Sequence, residues 1–269
     1  MYTLRGITKT YLHGCTAIAG LDLHLDAGEH VAVIGPSGAG KTTLFRLLNC
    51  TLRPSAGTLH VGGIDSAQLY GKRLRHLRCR IGTIYQQHNL VPRLRVMHNV
   101  LAGHLGRWST LRSLVSLLRP LELDSARAAL RQVGLADKIF QRTDRLSGGE
   151  QQRVAIARTL VQDPDVVLAD EPVASLDPAL SENIIRLLCN LASQGGKTLI
   201  VSLHSVHLAL DYFPRIIALQ EGRLVYDGPP QALSPTVLHD LFTETPAEVS
   251  PEAELHAPSF IVRSCRFPA

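Results

Sequence analysis

No stretch of this chain approaches the ~18 to 20 consecutive apolar residues that a bilayer-spanning helix needs. The N-terminus, MYTLRGITKTYLHG, also lacks the unbroken apolar core of a secretory signal. The expectation is a cytoplasmic chain whose membrane role, if it has one, comes through a partner. Cysteine is sparse: five residues, Cys15, Cys50, Cys79, Cys189 and Cys265, stand far apart with no C-x-x-C pair. That spacing excludes a zinc ribbon or a dithiol redox motif and reads as reduced, structural thiols. The basic cluster Lys72, Arg73, Arg75, Arg78 and Arg80 has no interleaved aromatic beyond Tyr70, which argues against a base-stacking nucleic-acid platform and for a solvated helical face. There is no internal repeat.

What is present is the composition of a globular protein. The 269 residues are 45% hydrophobic and 19% charged, enough for one large domain or one domain with an inserted lobe. A formal charge of +5 and a pI near 9.1 favour an anionic partner such as a nucleotide, a nucleic acid or an acidic membrane surface. Residues 31–34 (VAVI) form an apolar run that ends in a glycine-rich turn, followed by Leu44, Leu47 and Leu48 at helical spacing. The runs 166–169 (VVLA) and 199–203 (LIVSL) repeat the pattern, predicting an α/β core with buried parallel strands. Alternation over 2–10 and 58–61 predicts an antiparallel β edge. Between about 88 and 145, Leu, Arg and Ala dominate, and 99–105 and 125–133 carry helical periodicity. The expected organisation is a core of 1–87 and 146–242, a helical subdomain over about 88–145, and a loosely ordered, proline- and glutamate-bearing tail over 243–269.

Gly35, Pro36, Ser37, Gly38, Ala39, Gly40, Lys41 and Thr42 satisfy G-x-x-x-x-G-K-[ST] between a predicted strand and a predicted helix. The glycines let successive N–H groups turn inward and the helix N-terminus adds its positive end, so phosphate oxygens fill the concavity. Lys41 would reach the β- and γ-phosphates, Thr42 would ligate Mg²⁺, and Thr43 would contact the α-phosphate. The expected ligands are therefore ATP and Mg²⁺. Asp170 and Glu171 follow the VVLA strand directly, at the carboxyl end of the sheet where open α/β folds bind ligands. Asp170 is placed to hold Mg²⁺ through its water shell, and Glu171 to polarise a water in line with the γ-phosphate.

Residues 146–158, LSGGEQQRVAIAR, open a second helix with Ser147, Gly148, Gly149 and Glu150, whose exposed N–H groups and hydroxyl make a further anion site. This run resembles the signature of the ATP-binding cassette (ABC) ATPases. The resemblance implies a P-loop NTPase fold, the ABC cassette, in which two cassettes pair head to tail with each ATP between one phosphate loop and the other's signature. Further residues match in the family's order. Tyr11 resembles the aromatic that stacks on adenine, and Gln86 the glutamine that senses Mg²⁺ and faces the membrane subunit. Ser175, Leu176 and Asp177 resemble the loop that crosses the dimer, and His204 the switch histidine at the γ-phosphate. The implied catalytic set is Glu171, His204 and Lys41, and the implied metal set Thr42, Gln86 and Asp170.

Residues 99–114, NVLAGHLGRWSTLRSL, and 87–93, QHNLVPR, are similar to the helical lobe of phosphonate-import ATP-binding proteins. That likeness implies an importer subunit on the cytoplasmic face of the inner membrane, and one chain with a complete motif set suggests a homodimer. Its partners would be two integral permease subunits and, indirectly, a periplasmic solute-binding protein, with no nucleic acid. Importers of phosphate, phosphite, methionine or polar amino acids share the catalytic motifs and stay open as alternatives. A soluble nucleic-acid-linked ABC ATPase is a further alternative, which the single compact cassette argues against.

Overall fold

The computed structural model describes residues 1–12 and 14–242. The tail expected over 243–269 lies outside the described residues. Among the described residues, ten strands form two sheets. β1 (Tyr2–Thr10), β2 (Thr16–Leu25), β4 (Ala56–Val61) and β5 (Ile64–Asp65) make an antiparallel sheet of order β2-β1-β4-β5. The second sheet has order β10-β9-β3-β8-β7-β6. It is built from β3 (His30–Ile34), β6 (Ile81–Ile84), β7 (Val166–Asp170), β8 (Thr198–Leu203), β9 (Arg215–Gln220) and β10 (Arg223–Gly228). Its five central and far strands run parallel, and β10 closes the near edge antiparallel to β9. The antiparallel part expected from 2–10 and 58–61 is thus a sheet of its own, in which Tyr2 stands opposite Val61 and Leu4 opposite Leu59.

The helices are α1 (Lys41–Leu48), α2 (Gly71–Cys79), α3 (Val96–Leu101), α4 (Thr110–Leu118), α5 (Leu123–Gln132), α6 (Gly148–Gln162), α7 (Pro178–Gln194), α8 (Val206–Tyr212) and α9 (Pro235–Phe242). Strand β3 shows why the parallel strands are apolar on both faces. Val31 and Val33 enter the core shared with the antiparallel sheet and α1, while Ala32 and Ile34 enter the core shared with α6, α7 and α8. Leu44, Phe45, Leu47 and Leu48 of α1 are all buried, and each contributes about 1.5–3 kcal/mol by leaving water. That seating fixes the direction in which the N-terminus of α1 points. α3 and α5 pack on α6, so the inserted helices lean on the helix that carries the signature.

Cys50, Cys79 and Cys189 are free thiols. Cys15 is disulfide-bonded, which corrects the expectation of reduced thiols throughout.

Candidate nucleotide-hydrolysis site

The loop between β3 and α1 is shaped by its glycines. Gly38 has φ +85° and Gly40, the residue that caps α1, has φ +100°, a region that side chains disfavour. Space is equally restrictive, since a Cβ on Gly40 would lie 2.4 Å from the Ala17 carbonyl oxygen and one on Gly35 2.2 Å from that of Leu219. The β9–β10 turn braces the loop: Gly222 N–H donates to Ala39 O at 3.1 Å, and Ala19 N–H to Gly222 O at 2.9 Å. The first turn of α1 contains no acidic residue. Its free N–H groups therefore keep their positive end for an anion. Lys41 is buried, and its Nζ donates to Gly35 O at 2.8 Å and Pro36 O at 3.0 Å. Burial pulls the Lys41 pKa down, while Glu171 and then Asp170 oppose that shift.

Asp170 and Glu171 meet this loop from the end of β7. Asp170 is buried; it accepts from Ser202 Oγ at 2.7 Å and is hydrogen-bonded to Thr42. Desolvation raises its pKa, and those two hydrogen bonds work against the rise. Glu171 adopts φ +49°, a strained value for a residue with a side chain. Its N–H donates to the same Ser202 Oγ at 2.8 Å. Its Oε1 lies 2.6 Å from His204 Nε2 and 4.0 Å from Lys41 Nζ. The hydrogen bond from His204 is the main cause holding the Glu171 carboxyl below its ordinary range; burial opposes it, and the charges of His204 and Lys41 add to it.

Ser202 was absent from the sequence reading. It is fully buried, registered against Asp170 in the parallel β7–β8 pair, and it ties both carboxylate residues together through one hydroxyl. The available signal was a lone polar residue inside the apolar run 199–203.

The fold brings Lys41, Thr42, Asp170, Glu171 and His204 together. Tyr11 lies against α1, its hydroxyl 3.2 Å from Thr43 Oγ1, with Lys9 Nζ 5.7 Å from its ring centroid. The other residues stand apart, and among the described residues no hydrogen bond or ion pair joins them to the loop. Gln86 is exposed in the turn after β6. Ser147 caps α6 in a reciprocal box: its Oγ accepts from Glu150 N–H at 3.3 Å, and its N–H donates to Glu150 Oε2 at 2.8 Å. That backbone bond is the main cause of the lowered Glu150 pKa. Gly148 is exposed, and a Cβ on Gly149 would lie 2.3 Å from Leu180 Cδ2. Asp177 caps α7, accepting from Leu180 N–H at 2.9 Å.

The donor set fits a nucleoside triphosphate with a hard divalent cation. The glycines let the loop curl ahead of α1 at backbone angles that side chains disfavour, which suits inward N–H groups for phosphate oxygens, and Thr42 and Asp170 offer adjacent oxygen ligands. Among the described residues no group of three or more His, Cys, Asp or Glu could hold a metal alone. A cation here would complete its shell with phosphate and water oxygens, as magnesium commonly does.

A strand, glycine loop and helix facing a carboxylate pair at the end of a parallel strand, with one strand between, define a phosphate-binding-loop nucleoside triphosphatase. The family profile described as "ABC transporter" matches residues 18–174. Among curated proteins, the Phosphonates import ATP-binding protein PhnC of Pseudomonas fluorescens (strain Pf0-1) is 47% identical, covering 89% of this chain and 91% of its own. PhnC 1 of Pseudomonas syringae pv. tomato is 49% identical over 84% of this chain and 85% of its own. Among solved structures, the cassette MJ0796, in a dimeric post-hydrolysis state bound to ADP and Pi, superposes with a TM-score of 0.75. It is 31% identical and covers 87% of this chain and all of that one. CbiO1 of Clostridium perfringens, part of the transporter complex cbiONQ, gives 0.74 at 28% identity, covering 86% of this chain and 88% of its own. The chain belongs to the ABC transporter family, as one of its ATP-binding ATPases.

Proposed function

We propose that this chain is the ATP-hydrolysing subunit of a phosphonate importer. It would work as one of two cassettes at the cytoplasmic face of the inner membrane, with Mg²⁺ and two integral permease subunits. The observation that carries the hydrolytic part is the position of Glu171 Oε1 between His204 and Lys41, with the Glu171 backbone held by Ser202. Phosphonate rests on the curated relatives, which are 47% and 49% identical over most of this chain.

Glu171 is an ionised carboxylate at neutral pH, a group able to orient and polarise water. His204 holds that carboxylate in place, and Lys41 supplies positive charge where a γ-phosphate would develop negative charge. Thr42 and Asp170 would hold Mg²⁺, which supplies charge neutralisation to the phosphates when bound. Ser147, Gly148, Gly149 and Glu150 stand apart from the loop of their own chain, and this supports a second cassette as the one whose ATP they meet. Asp177 would stand at the same junction, and Tyr11 beside the base. Closure would pass through Gln86 to the permease. Beside it Tyr85, Asn89, Arg78, Arg158 and Gln162 line an open cavity of about 350 Å³, which suits a protruding segment of a membrane subunit.

The test is Glu171→Gln. ATP binding should persist, with hydrolysis reduced about 10²- to 10⁴-fold and a dimer accumulating on size exclusion. Normal turnover would remove Glu171 from this role. Uptake of a labelled phosphonate by cells dependent on this subunit, competed with phosphate, phosphite, methionine or polar amino acids, decides the solute.

A further inference from the structure

Helix α4 is turned inside out. At about 100° per residue, Leu111, Leu114, Val115, Leu117 and Leu118 share one arc of about 160°, and Arg112, Ser113, Ser116 and Arg119 share the opposite one. A surface helix normally sets the apolar arc inward. Here the polar arc meets the protein through Ser116 and Arg112, and Arg119 at the end of the arc is exposed. Ser116 is the helix's buried residue, and its Oγ accepts from Leu121 N–H at 3.3 Å. Arg112 pairs with Glu122 and lies 4.9 Å from the Trp108 ring centroid. All five apolar side chains face solvent, Leu111 at 73% and Leu118 at 89% exposure. Such a contiguous patch marks an interaction surface.

The surrounding charge is of one sign. Residues 66–121 hold ten of the 28 Lys and Arg and none of the 23 Asp and Glu, so the rest of the chain is net acidic. Of those ten, only Arg80 and Arg112 form ion pairs with described carboxylates. Arg107 and Arg119 flank α4 and are exposed; Arg107 donates to the Asp163 carbonyl at 3.0 Å, and Arg119 stands at the C-terminal end of the helix. None of the described helices is long and apolar enough to cross a membrane.

We propose that the outward face of α4 is a shallow anchor in an anionic lipid surface. The leucines enter the boundary between headgroups and acyl chains, and Arg119 meets the headgroup phosphates. Nine residues make a rod of about 13 Å, suited to lying in the interface plane. The charge selects an anionic surface. One face of so short a helix also falls well below the ~20 to 30 residues that each side of a stable protein interface contributes. A bilayer needs no matching groove, whereas a protein partner would have to supply a concave acidic one. This inference is independent of the transported solute and of the hydrolytic residues.

The experiment is co-sedimentation of the purified full chain with vesicles of phosphatidylcholine containing roughly 30% phosphatidylglycerol, against pure phosphatidylcholine, at low salt. The protein should pellet with the anionic vesicles only, and release as salt rises. Leu117→Asp/Leu118→Asp should weaken binding at least about tenfold with basal ATP hydrolysis unchanged, and Arg119→Gln should weaken it less. Three results would each overturn the proposal: no binding to anionic vesicles, equal binding by the double variant, or binding only when the vesicles carry the integral permease subunits.

Discussion

Removing the Ser202 hydroxyl is the most informative single change to this site. In Ser202→Ala, Asp170 loses the partner at 2.7 Å and Glu171 N–H loses its acceptor at 2.8 Å, in a position with no access to water. A hydrogen bond to a charged group is worth about 1.5–3 kcal/mol, and an orphaned buried donor costs about 1–3 kcal/mol. Allowing for local relaxation, the loss is about 2–4 kcal/mol. At ~2–4 °C per kcal/mol for a domain of this size, Tm should fall roughly 5–15 °C. The loss is also pH-dependent. The folded-state pKa of Asp170 is already raised by burial, so its ionisation destabilises the fold as pH climbs from the unfolded value through the folded one. Without the hydroxyl that pKa rises further, and the Tm deficit should be larger at pH 8 than at pH 5. The Glu171 backbone, held at φ +49°, should also relax, costing kcat on the order of ten- to a hundredfold. Circular dichroism melts at both pH values and steady-state ATP hydrolysis measure these effects. Glu171→Gln should reduce kcat with a smaller loss of Tm, since Gln keeps the backbone N–H bond to Ser202 and gives up only the carboxylate's charge contacts. A Ser202→Ala protein with wild-type Tm and kcat would refute the idea that one hydroxyl organises both carboxylates.

Three further outcomes follow from the geometry. Gly40→Ala places a Cβ 2.4 Å from the Ala17 carbonyl at φ +100°, so nucleotide binding measured by a fluorescent ATP analogue should fall at least about a hundredfold. In His204→Ala the main cause lowering the Glu171 pKa is gone, so the acid limb of kcat/KM should move to higher pH. The stability that the depressed Glu171 pKa contributes above its unfolded value, and loses as pH falls through the folded one, should shrink with it; an unmoved acid limb would dissociate His204 from Glu171. Gln86→Ala should lower solute uptake by the assembled transporter, and unchanged uptake with normal ATP hydrolysis would displace Gln86 from the coupling route.

Much of the core was legible because the parallel strands are buried on both faces and read as unbroken apolar runs, as 31–34, 166–169 and 199–203 do. Other elements were harder to see. β2 alternates apolar and polar residues, but its pairing with β1 carries register shifts, and Gly20 at φ +64° interrupts the pattern. β9 and β10 gave no motif, yet their turn braces the phosphate loop through Gly222. The antiparallel segments were visible as strands, while their separation into a second sheet depended on which faces found a common core.

By itself, the sequence determined the chemistry that contiguity can carry. Gly35 to Thr42 shape a glycine-rich loop at a helix N-terminus because eight successive residues hold every group such a loop needs, and Ser147 to Glu150 cap a helix for the same reason. Tertiary structure decided what links distant segments. Ser202 reaches Asp170 and Glu171 only after β7 and β8 pair in register, and His204 reaches Glu171 only when the strand end presents it. The same division holds for α4. Its periodicity defines an apolar face, but the fold turned that face toward solvent by fastening the polar side to Glu122 and Leu121. Helical period is a property of neighbours three and four apart, whereas the direction a helix faces is set by contacts the chain closes elsewhere.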